Sequence, residues 1–187
     1  MEVHRFGVKF FVADPASVRL HDFIQIFHGW IQKQTVENHL LIDVHNYSHI
    51  HNGPGILLVA HEGNFSMDMA DGLPGLLYCR KTPTTGTPVD HLETILKSAL
   101  QACNLLEGEV RFRMDDFLLL ANDRLNAPND DECFSQLKPI VSDALERVFG
   151  HTKYTLTRHS ENPKERLVVR VAGKNQPRIT PITRTFA

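Results

Sequence analysis

The sequence predicts an α+β protein: a mainly antiparallel sheet with about three helices packed on one face. Two observations carry this. Short runs rich in Val, Ile, Leu and Phe come in pairs around Gly-, Pro- and Asn-rich turns, the signature of hairpins. Three longer segments fall between the hairpins, two repeating their apolar residues at helical spacing and the third opening on capping-box spacing, giving the order β-α-βββ-α-ββ-α-ββ.

The first strand covers residues 6–13 and stops at Asp14-Pro15, where Asp14 accepts from free helical amides and Pro15 suits a first helical position. A helix is expected from there to Gln34, with Leu20, Ile24, Phe27 and Ile31 as its apolar stripe, widened by Phe23 and Trp30. His21 and His28 lie on a second stripe, two turns or about 10 Å apart, too far to share one metal ion. Residues 40–51 and 56–62 read as a hairpin about Asn52-Gly53-Pro54-Gly55, and residues 76–81 as a third, short strand after an irregular stretch, 63–75. Thr87-Pro88 opens a second helix running to Glu107. Residues 110–113 and 117–121 are expected as a hairpin about Met114-Asp115-Asp116. Asn129 and Glu132 have capping-box spacing for a third helix from Asp130 to Gly150, which Pro139 should kink or split. Residues 154–158 and 166–171 form a last hairpin, and 173–187 read as a basic, extended tail after one domain spanning 1–172.

Two arrangements share this order. One sets a pair of β-α-β-β units side by side with an added α-β-β, as in small-molecule-binding modules built on tandem halves. The other runs helix, three strands, helix, two strands, helix, and resembles dimeric secretion-chaperone-like folds. Both are likenesses of element order, and fold alone does not carry function.

Composition narrows the function classes. With 187 residues, 42% of them apolar and 22% charged, the chain suits one globular domain. The apolar runs at 56–60 and 117–121 are far short of the ~20 residues that cross a bilayer, and the N-terminus has no secretory pattern. A net charge of −2 argues against duplex binding. Cys79, Cys103 and Cys133 form no CxxC pair, so reduced thiols in a cytoplasmic protein are expected. No phosphate-binding loop is present, and no nucleotide cofactor is expected. The unusual count is eleven histidines.

Five reactive residues share one strand parity: Asp43, His45, Tyr47, His49 and His51. Ile42, Val44 and Ile50 take the other parity and form the expected core layer, leaving the odd side open. If His51 pairs with Ile56, Glu62 falls opposite His45, a placement that a one-residue slip would undo. The expected site then has His45, Tyr47 and Glu62 as acid/base residues and Asp43 and His49 on the ligand. His49 and His51 form a His-x-His pair that could hold a transition metal. A separate pair, Asp123 and Arg124, binds an anionic ligand or pins its loop. Two functions stay open: a small-ligand-binding domain with acid/base or metal chemistry, or a homodimeric interaction or chaperone-like module without catalysis.

Overall fold

The computed structural model describes residues 5–50, 52–151 and 153–173. It is an α+β structure with a fully antiparallel eight-stranded sheet in the order β2-β3-β4-β5-β1-β6-β8-β7. The strands are β1 (Phe6–Val12), β2 (Leu41–Tyr47), β3 (Gly55–Ala60), β4 (Gly63–Asp68), β5 (Gly75–Arg80), β6 (Phe112–Ala121), β7 (Tyr154–Arg158) and β8 (Val168–Gly173). The helices are α1 (Asp22–Lys33), α2 (Pro88–Leu105) and α3 (Asp131–Phe149).

The fold is two units of one plan. Each starts on a strand (β1 or β6), crosses by a helix (α1 or α3), and returns by a meander whose last strand (β5 or β8) lies beside the first. The units join along the antiparallel β1–β6 seam, with α2 as the link. The units lie side by side, with four strands closing the first and two the second.

Alternation explains the layering. Phe6, Val8, Phe10 and Val12 of β1 join Phe65, Met67, Leu76 and Tyr78 in one core, which also holds Phe23, Phe27 and Trp30 of α1, Leu92, Ile95 and Leu96 of α2, and Leu137 and Val141 of α3. Burying each such side chain is worth about 1.5–3 kcal/mol. The opposite parity, with Phe11, Leu118, Leu120 and Val168, forms a separate small cluster to which no helix contributes among the described residues. No helix is long and apolar enough to cross a membrane.

Four local expectations are corrected. The helix expected from Pro15 is interrupted: Pro15–Ser17 is a single 3-10 turn capped by Asp14, Val18 becomes extended, and α1 begins at Asp22. Residues 63–75 contain the strand β4. Residues 112–121 make one strand instead of a hairpin, because both carboxylates at its middle are paired within the sheet: Asp115 with Arg113, and Asp116 with Arg113 and Arg170. The cap of α3 is Asp130, whose side chain accepts from the Cys133 N–H at 2.8 Å; Asn129 instead donates to the Ser160 and Asn162 carbonyls. α3 continues through Pro139. The tail, 174–187, lies outside the described residues.

Candidate functional site

The helix-free face gathers polar side chains that a sheet surface ordinarily leaves in water. Among the described residues six polar side chains are buried: Lys9, Ser66, Asp68 and Asp116 lie on this face, and His39 and Asn129 do not. Lys9 sits mid-strand in β1, its Nζ 2.5 Å from Asp68 Oδ2 and 3.3 Å from the Ala70 carbonyl. The two side chains are 5% and 8% exposed, so the charges answer each other out of water. Gly75 makes room for this: a Cβ there would stand 3.1 Å from Lys9 Cε and 2.5 Å from the Phe10 carbonyl. Further along, Arg170 binds Asp116 with two parallel bonds of 2.8 and 2.7 Å.

Toward the β2 end the same face becomes accessible. The register sets His45 beside Leu57 beside Ser66, and Asp43 beside Val59 beside Asn64. This is a patch three strands wide: polar on β2, apolar on β3, polar on β4. Its outer columns are about 10 Å apart, two inter-strand spacings. Leu57 and Val59 are half-buried, and Asp43 and His45 are exposed. The His45 Nε2 lies 3.5 Å from Asp43 Oδ2, and the His45, Tyr47 and His49 rings follow one another at 6.1 and 6.4 Å. Asn64 Oδ1 is buried and accepts no hydrogen bond, a state that costs about 1–3 kcal/mol. Beside it, burial pushes the Cys79 thiol up to about 11, so it is not a reactive nucleophile at neutral pH.

Asp43, His45 and Tyr47 therefore share a helix-free face, as their parity predicts, while Val44 packs into the core. Ile42 does not: a register shift between Leu41 and Asp43 reverses the parity, and Ile42 is 53% exposed. Ile50, in the turn after β2, is 46% exposed and is not in the core layer either. The register also separates Glu62 from His45, whose true partner is Leu57. Glu62 lies between β3 and β4, where it accepts from the Leu40 N–H at 2.8 Å. Burial raises its carboxyl, but that bond, its own N–H, His39 and His61 outweigh it and hold the group below the usual carboxylate range. His49 is exposed in the turn after β2, and His51 lies outside the described residues. No three His, Cys, Asp or Glu side chains among the described residues are grouped to hold a metal ion. Asp123 pins its loop, accepting from the Asn126 backbone and side-chain N–H groups at 3.3 and 2.9 Å, and Arg124 is exposed.

Sequence reasoning missed two sites. Lys9 was legible, since a lone charge inside Phe-Gly-Val-Lys-Phe-Phe-Val asks for a partner. His39 was not. It is 8% exposed on the helix side, with Nδ1 2.8 Å from the Glu37 carbonyl and Nε2 2.7 Å from the Tyr78 hydroxyl. The carbonyl can only accept, so Nδ1 carries the proton and the Tyr78 O–H donates to Nε2. Burial lowers the imidazole's affinity for a second proton, and burial likewise raises the Tyr78 hydroxyl. The pair is a neutral clamp between the loop before β2 and the sheet.

No protein-family description matches the chain, and no curated protein matches it in sequence.

Proposed function

We propose that this chain is a small-ligand-binding domain whose site is the polar–apolar–polar patch at the β2 end of the helix-free face. Leu57 and Val59 form the floor, Asp43, His45 and Tyr47 one wall, and Asn64 and Ser66 the other. The observation that supports this reading is the half-buried floor of Leu57 and Val59, set between polar columns on a face to which no helix contributes among the described residues. The floor takes a small apolar or planar body, and the ligand's polar groups meet the columns on either side. At the β2 wall, His45 with Asp43 supplies an imidazole–carboxylate pair able to move a proton to or from a bound molecule.

A thermal-shift screen of a fragment library of planar amides and heterocycles tests this. Binders at a hundred times their Kd stabilise the fold by about 2.7 kcal/mol and raise Tm accordingly. Val59→Lys, which puts a charge on the floor, abolishes the shift, and His45→Ala weakens it. Equal responses from Val59→Lys and the parent would place the binders elsewhere and refute the reading.

A further inference from the structure

We propose that two copies of this chain associate through β7, edge to edge and antiparallel, about a two-fold axis at Leu156. A row of eight strands has two edges, β2 and β7, and the chain treats them differently.

The β2 edge has several of its outward backbone groups already taken. The Leu41 N–H donates to Gln34 Oε1 and the Leu41 carbonyl accepts from Gln34 Nε2, both at 3.0 Å. The Val44 N–H donates to Asp43 Oδ1 at 2.8 Å, and the Ser48 N–H to Asn46 Oδ1 at 2.9 Å. The register shift beside Leu41 further bends this edge.

The β7 edge carries no such device. The His159 N–H bonds the Val168 carbonyl at 2.8 Å, directly across the β7–β8 ladder. Residues of odd number thus turn their backbone groups toward β8, and Tyr154, Leu156 and Arg158 turn theirs outward. No described residue bonds these outward groups. The sequence Tyr-Thr-Leu-Thr-Arg has high strand propensity and holds no proline, glycine or acidic residue.

The edge is complementary to itself. With the axis at Leu156, Leu156 exchanges both backbone bonds with its counterpart, and Tyr154 does so with the partner's Arg158, so every outward N–H and C=O is used. Thr155 then faces the partner's Thr157 in the closely spaced, non-bonded positions where Thr–Thr pairs are favourable. Arg158 is already neutralised by Asp131 at 3.2 Å, so no bare like charges meet. The association is independent of ligand binding at the β2 end and leaves that patch free.

Sedimentation velocity on the full chain up to about 200 µM tests the proposal, with a concentration-dependent dimer expected. Leu156→Pro removes an outward N–H while sparing the β8 ladder, and raises the dimer Kd at least about tenfold. Thr155→Lys/Thr157→Lys sets like charges opposite one another and gives monomers. Thr155→Lys/Thr157→Glu sets each new ammonium against a new carboxylate and restores the dimer, a rescue that loss of folding cannot mimic. The proposal is overturned by a parent chain that stays monomeric. It is equally overturned if both paired variants dimerise as the parent does, or if association appears only after truncation beyond Gly173, which would assign the edge to residues 174–187.

Discussion

Lys9 and Asp68 illustrate how much a single buried pair can matter. Lys9→Met leaves the Asp68 carboxylate buried without its counter-charge, with an expected cost of about 3–5 kcal/mol by chemical denaturation. Lys9→Met/Asp68→Leu removes both charges and recovers most of that loss, because the pair's attraction mainly repays its own desolvation. His39 gives a pH signature instead. Its folded-state pKa lies below the ordinary value of about 6.5, chiefly through burial, so the unfolded chain binds more protons in between. The His39 contribution is therefore complete above about pH 6.5 and is lost as pH falls through the lowered value. Urea titrations at several pH values should show this slope in the parent and a flatter one in His39→Gln. At this scale the sequence spoke unevenly. The shared face of Asp43, His45 and Tyr47 followed from parity alone, but the partner of Glu62 depended on a hairpin register that the turn residues do not determine. His39 stood beside apolar residues with nothing to indicate that Tyr78, 39 positions away, would reach it.

Elements were more legible than side chains. The first two helices followed from apolar periodicity, which burial on one face imposes, the third from its capping spacing, and the hairpin habit from paired apolar runs. What was missed has local causes. β4 hid among Gly63, Asn64, Ser66 and Asp68, because its helix-free side is polar and only Phe65 and Met67 mark it as a strand. β6 looked broken at Asp115-Asp116 because carboxylates resemble a turn until their arginine partners are in place. Pro139 is expected to kink or split α3, yet the helix runs unsplit through it over 19 residues, with a well-packed face. Pro139→Ala should therefore stabilise the protein by about 1–3 kcal/mol, seen as a rise in Tm, by restoring a helical N–H. Gln34→Ala works the opposite way: it strips both caps from Leu41 and should cost about 1–2 kcal/mol. The same variant should also begin to self-associate at β2, detectable by light scattering.

Across the whole molecule, the β1–β6 seam is where the two units meet. It pairs Phe6 with Ala121 and Phe10 with Phe117, partners more than 100 residues apart in the chain. The linker after α2 passes through exposed Glu107, Gly108 and Glu109. Fragments 1–108 and 109–187, expressed together, should therefore co-purify as a complex, because each carries its own helix and meander and the seam needs no covalent link. The seam also sets a timetable during synthesis. As the chain leaves the ribosome, β1 meets β5 early, but its other flank waits until β6 has been translated. For that interval Phe6–Val12 offers a nascent, aromatic-rich border to its surroundings or to a chaperone, and slowing translation near residue 110 would prolong the hazard.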